Sequence, residues 1–403
     1  MKQRMIRASS TEETRARMRH ISLPVFALLT ACASSGSGTA VDASTLVDAA
    51  DAAAVGDGSS DAAASSNENA FFYQDVTATS NAVRVGVTKD GKIVDSYNAN
   101  VLSWKALGDQ KVYGDPVFSR LSNGKWAMTA RSGAQDPRGS FALMYHEAAC
   151  PKVVDADVKV IKPLTGSACK ATSNLVMGKV SQVFDVDGSN YIFSMISGEI
   201  YLLRLSDKTH TALDLSSICV KLTRATKFAD LAWGEATLIL DKAAANGLLL
   251  SDTAIARRKD GTWTLFVKGV PSDNGCVNGS LCELCARAIY RTTSSDLITW
   301  STLVKLVDKA SVPEAVNYPD GSLWLYWQTF TPACDAQDLM LAGRAPISGA
   351  FEQADGALSS TATVTFPGEA FEGDTKIHYA TNGNPAALPT KEAKTAFDAC
   401  FGK

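Results

Sequence analysis

The stretch Asp252-Thr-Ala-Ile-Ala-Arg-Arg-Lys-Asp-Gly-Thr-Trp263 decides the predicted fold, because it contains a complete strand–turn–strand unit. Its apolar residues precede the turn pair Asp260-Gly261, and a second strand begins at the tryptophan, which is the pattern of a β-hairpin. The same order of residues recurs at four other places, spaced by about 60–70 residues. These units begin at Asp115, Gln182, Glu314 and Asp374.

Each unit has room for four short strands, so the repeat predicts an all-β, five-bladed β-propeller. Residues 82–92 look like an outer strand that lacks its own inner pair. We expect this segment to complete the last blade, so that strands from both chain ends close the ring. A β-sandwich and a six-bladed ring are the alternatives that this pattern leaves open.

The N-terminal residues predict export and a lipid anchor. A basic segment precedes the apolar run 21–29, which is too short to span a membrane as a helix. The run ends in Leu29-Thr30-Ala31-Cys32, which resembles a bacterial lipobox with Cys32 as the acylated residue. We therefore predict a lipoprotein signal peptide over 1–31 and a location in the bacterial cell envelope, at the outer membrane or cell surface. An ordinary secretory signal with an incidental cysteine is the alternative.

Composition divides the rest of the chain into a tether and one domain. Residues 32–69 are rich in Ala, Ser and Asp and contain no aromatic or basic residue, which predicts a disordered tether. Residues 70–403 form the predicted propeller domain. The whole chain carries 39 basic and 42 acidic side chains, and a net charge of −3 excludes nucleic-acid binding through bulk charge. No P-loop, dinucleotide-binding glycine motif, GxSxG or HExxH motif occurs.

The cysteines predict disulfide bonds. Eight remain once Cys32 is set aside, and an even number in an exported protein favours up to four disulfides of undetermined connectivity. Cys276, Cys282 and Cys285 lie close together, which is compatible with a zinc or redox site. A loop closed by disulfides is the favoured interpretation, because no second CxxC and no adjacent histidine accompany them.

Three phrases resemble one enzyme family. They are Gly114-Asp115-Pro116 before a strand, Ser295-Asp296-Leu-Ile-Thr-Trp300 on an outer strand, and Val312-Pro313-Glu314. These phrases resemble the five-bladed furanosidase propellers of glycoside hydrolase family 43, the arabinanase and β-xylosidase group. The resemblance covers residues 80–390 and implies hydrolysis of arabinose- or xylose-containing glycans with inversion.

The resemblance also implies the roles of three acids. Asp115 matches the general base, Asp252 the residue that tunes the acid, and Glu314 the general acid. We expect each to stand at the start of an inner strand, since inner strands of different blades converge on one axis. An inverting hydrolase needs two carboxyl groups roughly 6.5–9.5 Å apart, which leaves room for the attacking water.

Two further residues are predicted to bind the glycan. His378 begins the fifth unit, where many relatives place a histidine, and Trp324 offers an aromatic face to a sugar ring. We expect a monomer without cofactor or metal site, with a structural calcium ion in the central channel as the alternative.

Two other functions compete with hydrolysis by the acid trio. A non-catalytic surface propeller that binds carbohydrate or protein is favoured by Ala315-Val316, which stand where the family commonly has Gly-Pro. A sialidase-like hydrolase is suggested by Ser295-Asp296 with Trp300, which resembles an Asp-box that lacks its glycine. That third function requires a tyrosine nucleophile and a cluster of arginines.

Overall fold

The computed structural model shows an all-β protein with few helices. It describes residues 68–76, 81–89, 92–103, 113–132, 143–152, 159–161, 179–196, 198–206, 221–272, 286–318, 322–329, 347–351, 358, 362–363 and 379–403. The predicted signal peptide and nearly all of the tether lie outside these residues. Within them, no helix is both long enough and apolar enough to cross a membrane.

The strands form five separate sheets. The first, in the order β21-β1-β2-β3, contains β21 (Tyr379–Leu388), β1 (Glu68–Val76), β2 (Asn81–Lys89) and β3 (Lys92–Ser103). The second contains β4 (Tyr113–Arg120), β5 (Trp126–Ser132), β6 (Leu143–Ala148) and β7 (Lys159–Ile161). The third, in the order β11-β12-β10-β9-β8, contains β8 (Phe184–Val186), β9 (Ser189–Ile196), β10 (Glu199–Arg204), β11 (Lys221–Thr223) and β12 (Glu235–Leu240).

The last two sheets follow the chain order. The fourth contains β13 (Leu248–Arg257), β14 (Trp263–Pro271), β15 (Ala288–Ser294) and β16 (Val304–Asp308). The fifth contains β17 (Ala310–Asn317), β18 (Leu323–Thr329), β19 (Ile347–Phe351) and β20 (Ala362–Thr363). Two helical elements complete the described chain: a 3₁₀ helix at Phe228–Asp230 and α1 (Lys391–Ala399).

The hairpins at the start of four predicted units are present. β4 pairs with β5, β8 with β9, β13 with β14, and β17 with β18, all antiparallel. Gly124 and Gly261 lie in two of the connecting turns with φ values of 82° and 86°, a left-handed backbone that glycine adopts without a steric penalty. The fifth predicted unit, at Asp374, begins outside the described residues.

The first sheet joins strands from the two ends of the domain. β1 pairs with β2 on one side and with β21 on the other. The prediction that residues 82–92 lack an inner partner is wrong, because β2 lies between β1 and β3. The partner escaped notice because β1 begins at Glu68, two residues before the predicted domain boundary.

Three edge strands share an irregularity at the predicted acids. The pairing register shifts between Gly114 and Val117 in β4, between Ser251 and Thr253 in β13, and between Ser311 and Glu314 in β17. The acids therefore lie inside their strands at β-bulges, and not at the strand starts as predicted. A bulge turns a side chain away from the regular alternation while pairing continues on both sides.

Aromatic residues fill the space between neighbouring sheets. Phe72 of β1 stacks on Phe118 of β4, with ring centroids 4.4 Å apart, and Trp126 packs at an angle against the Phe72 ring. Phe397 of α1 contacts Trp126, and the adjacent Cys400 forms a disulfide with Cys150. The C-terminal helix is therefore fastened to the second sheet both by packing and covalently.

Candidate active site

Asp252 lies at the bulge of β13 and is almost fully buried. Its relative exposure is 3%, and its Oδ1 accepts a 2.6 Å hydrogen bond from the backbone N–H of Lys179. Its Oδ2 forms an ion pair with Lys268 of the neighbouring strand β14. This carboxylate is thus oriented by two groups from different parts of the chain.

Glu314 lies at the bulge of β17 and is fully buried. Its Oε1 is 2.8 Å from Nζ of Lys179, and the same ammonium group donates a 2.9 Å hydrogen bond to the backbone oxygen of Thr253. Lys179 therefore contacts both predicted acids, Asp252 through its backbone and Glu314 through its side chain. The two acids, from neighbouring edge strands, are thus linked through one lysine.

The ion pair with Lys179 favours one charge state of Glu314. An ammonium group at 2.8 Å stabilises the ionised carboxylate, especially where water is excluded. A general acid must instead carry a proton and reach the glycosidic oxygen. Lys179 consequently holds Glu314 in the form opposite to that needed for proton donation.

The backbone around the two acids is strained. Asp252 has φ of 45° and Val312, two residues before Glu314, has φ of 50°. A left-handed backbone is uncommon for any residue other than glycine, and for a β-branched valine it is a true outlier. Such residues cluster at functional sites, where surrounding contacts hold a conformation that the chain alone would leave.

Asp115 occupies the corresponding bulge in β4, but its side chain lies outside what the structure describes. The separation between the proposed base and the proposed acid therefore stays a prediction. The equivalent residue of the second unit is Gln182, which bridges the same region. Its Nε2 donates to the backbone oxygen of Ala315, and its Oε1 accepts a 3.2 Å hydrogen bond from the N–H of Ile255.

Of the two predicted sugar-binding residues, only Trp324 is described. It is half-buried in β18, and its ring packs against Tyr326 and Tyr318 at centroid distances of 6.0 and 5.9 Å. His378 lies immediately before β21 and outside the described residues. Cys32 and the cluster Cys276, Cys282 and Cys285 lie outside them as well.

The phrase that resembles an Asp-box forms a self-contained turn. Burial raises the pKa of Asp296, but hydrogen bonds from the amides of Thr299 and Ile298 and from Ser294 outweigh burial, so the pKa lies below its ordinary value. Trp300 donates its indole N–H to the backbone oxygen of Leu297 at 3.0 Å. The aspartate is thus occupied in holding a turn.

The tyrosine most deeply buried near Trp324 is a poor nucleophile. Burial raises the pKa of Tyr326 well above its ordinary value, and the neighbouring hydroxyl of Tyr318, 3.1 Å away, raises it further. Ionisation of this phenol is therefore strongly disfavoured. Neither Asp296 nor Tyr326 supports the sialidase-like alternative.

No group of three or more His, Cys, Asp or Glu side chains within the described ranges has the arrangement of a metal site. A structural calcium ion in the central channel stays a prediction, and no step of the chemistry below passes through a metal.

Lys179 is the residue that sequence reasoning missed. It falls between the first two predicted blades, where no motif draws attention to it. The only signal was a lysine three residues before Gln182, close to the predicted start of an inner strand. Burial of its whole side chain shows that its charge is used inside the protein.

No known family model matches this sequence, and comparison with curated proteins finds no relative. Similar solved structures include an exo-β-1,3-galactanase from Clostridium thermocellum, with TM-score 0.49 and 14% identity over 75% of this chain and 63% of that chain. An α-L-arabinofuranosidase from Lactobacillus brevis has TM-score 0.46 and 11% identity, over 74% of this chain and 92% of that chain. An endo-1,4-β-xylanase from Bacteroides thetaiotaomicron has TM-score 0.44 and 12% identity, over 74% and 94%.

All three solved structures are, by their names, of glycoside hydrolases. Similarity at these identities and scores does not place this chain in any of those enzyme groups. The function must be argued from the site.

Proposed function

We propose that this protein is an exported glycoside hydrolase that cleaves arabinose- or xylose-containing glycans. The observation that carries the proposal is that Lys179 contacts both Asp252 and Glu314, two acids on different sheets. Lys179 thus contacts two of the three residues that the family resemblance marks as catalytic. The sugar class is taken from the resemblance of the sequence motifs.

The proposed architecture is a five-bladed propeller closed with strands from both chain ends. One edge strand of each sheet, β21, β4, β8, β13 and β17, contributes to the lining of a single cavity. Hydrogen bonds also connect the second and third sheets, since the N–H of Val183 donates to Oγ of Ser119 at 2.8 Å. A common central cavity for five edge strands is what a ring of five blades would produce.

In the proposed reaction, Glu314 donates a proton to the leaving oxygen and Asp115 activates the attacking water. Asp252, which accepts a hydrogen bond from the backbone N–H of Lys179, is the proposed residue whose negative charge opposes ionisation of Glu314. Proton donation requires Lys179 to leave Glu314. The proposal therefore includes a change of partner when the glycan binds. Lys179 Nζ keeps its hydrogen bond to Thr253 and releases the carboxylate, and Glu314 then takes up a proton from water, which it passes to the leaving oxygen.

The test is hydrolysis of p-nitrophenyl α-L-arabinofuranoside, p-nitrophenyl β-D-xyloside and the natural glycans arabinan and xylan by the wild type and by Glu314→Gln. We expect the variant to lose activity on natural glycans about 10²–10⁴-fold, the usual contribution of a general acid. Glu235→Gln is the matched control, because Glu235 pairs with the exposed Lys221 on another sheet. Equal turnover by Glu314→Gln and the wild type would end the proposal.

A second candidate function is non-catalytic glycan binding at the cell surface. The observation in its favour is the same ion pair, because a fully buried Glu314 neutralised by Lys179 contributes stability without chemistry. This function predicts retardation of the protein in gels that contain arabinan or xylan, with no release of reducing sugar. Non-catalytic binding is selected if the wild type hydrolyses neither glycan and Glu314→Gln is retarded as strongly as the wild type.

We further propose that acylation of Cys32 anchors the protein in the bacterial envelope, and that the domain acts as a monomer. Labelling of growing cells with radioactive palmitate tests the anchor: the wild type should become labelled, and Cys32→Ser should not. Release of wild-type protein into the medium without label would refute the anchor. Light scattering of the purified protein tests the monomer.

A further inference from the structure

A cavity of about 360 Å³ lies further along the edge strands that carry the acids. It is lined by Ile255–Arg257 of β13 and Ala315–Asn317 of β17, which follow Asp252 and Glu314 in their strands, and by the end of β4. Small-molecule sites usually occupy 300–1,000 Å³ and combine apolar walls with a few polar groups. This cavity has the size of such a site.

Two arginines occupy equivalent places at the cavity. Arg120 ends β4 opposite Trp126, and Arg257 ends β13 opposite Trp263. Each guanidinium group folds back over the glycine of its own hairpin turn. The repeat of the sequence thus places one arginine from each of two hairpins among the residues that line the cavity, and Arg257 is exposed to solvent.

Both guanidinium groups have hydrogen-bonding capacity to spare. Arg257 lies over the Trp263 ring at 5.3 Å, and its Nε donates a long hydrogen bond of 3.4 Å to the backbone oxygen of Gly261. Within the described part of the chain, neither arginine forms an ion pair with a carboxylate. Arginine binds carboxylates through paired N–H donors, so unpaired guanidinium groups at a cavity suit an oxyanion.

The remaining lining fits a ring-sized ligand with hydroxyl groups. The described residues that line the cavity include no acid. They supply aromatic surface from Trp263 and Phe184, and polar groups from Asn317 and Ser122. The lining residue Ser122 donates a 3.3 Å hydrogen bond to Oδ2 of Asp185, an acid that does not itself line the cavity.

We propose that this cavity is a second binding site, for a sugar acid of monosaccharide size whose carboxylate is held by Arg120 and Arg257. The site differs from the acid cluster in its residues, since Lys179, Asp252 and Glu314 do not line it. The inference therefore stands whether or not the protein hydrolyses glycans.

The test is calorimetric titration of the purified full-length protein with D-glucuronate, with D-glucose as the uncharged counterpart. We expect D-glucuronate to bind and D-glucose to bind at least tenfold more weakly. Arg120→Gln and Arg257→Gln should each weaken glucuronate binding about tenfold or more, as expected for loss of a hydrogen bond between charged groups. Arg224→Gln, an exposed arginine that does not line the cavity, is the matched control and should bind as the wild type does.

The proposal is overturned if the wild type does not bind D-glucuronate, if D-glucose binds equally well, or if both arginine variants keep wild-type affinity. Circular dichroism of the two arginine variants checks that they fold, and either variant alone is sufficient for the comparison.

Discussion

The strongest prediction concerns the buried pair of Lys179 and Glu314. Both side chains are at most 1% exposed, and Nζ and Oε1 are 2.8 Å apart. Replacing Lys179 by methionine leaves the carboxylate of Glu314 buried without its counter-charge. Removing one partner of a buried pair typically costs about 3–5 kcal/mol, so Lys179→Met should lower the free energy of unfolding by about that amount.

The double variant makes the reasoning quantitative. Glu314→Leu alone should also cost about 3–5 kcal/mol, because it strands the ammonium group. In Lys179→Met with Glu314→Leu both charges are gone, and replacement of a buried pair by apolar residues is often nearly neutral. Independent effects would sum to about 6–10 kcal/mol, so a double variant close to the wild type implies a coupling of several kcal/mol.

The measurement is urea unfolding monitored by tryptophan fluorescence. The urea concentration at the midpoint is compared between each variant and the wild type, provided that the dependence of the free energy on urea concentration is unchanged. Lys221→Met is the matched control, because Lys221 pairs with Glu235 at 3.1 Å but is 73% exposed. An exposed pair is worth about 0–1 kcal/mol, so this variant should shift the midpoint little. The buried pair is refuted if the loss of stability in the double variant equals the sum of the two single losses to within about 0.5 kcal/mol.

Three further predictions concern stability. Cys150→Ser with Cys400→Ser should lower stability by about 2–5 kcal/mol, seen as a lower melting temperature, because the bond fastens α1 to the second sheet; an unchanged melting temperature contradicts this role. Gly269→Ala should cost about 1–3 kcal/mol, since the added carbon would lie 2.7 Å from the Tyr290 ring, and a neutral result contradicts the tight packing. Asp296 has a lowered pKa in the folded state, so its contribution to stability is present above the unfolded pKa of about 3.9 and is lost as pH falls through the folded pKa. The free energies of unfolding of Asp296→Asn and the wild type should therefore converge between about pH 5 and 2. A difference in free energy that stays constant over this range refutes the lowered pKa.

The local parts of the fold could be predicted from the sequence. A hairpin is encoded by neighbouring residues, so the turns at Gly124 and Gly261 and the strands beside them follow from the pattern. The start of β1 could not be read in the same way, because Glu68 and Asn69 continue a polar, alanine-rich segment. Their place in a strand depends on pairing with β2 and with β21, which lies at the other end of the domain.

The site was predictable only in part. The resemblance singled out Asp252 and Glu314, whose catalytic roles stay a prediction, and both residues contact Lys179. Lys179 was not found, because its role depends on two contacts with residues more than seventy positions away. The bulges were not found either, since Asp252 and Val312 have side chains that ordinarily avoid the backbone they adopt.

The pairing of β1 with β21 has a consequence for synthesis of the chain. During translation the first three strands of that sheet emerge long before their last neighbour, so the nascent chain carries an unsatisfied edge at Glu68–Val76 until residue 388 appears. This sheet is complete only after residue 388 has left the ribosome. Premature termination before residue 379 would leave β1 without this partner, and such a species would be prone to aggregate.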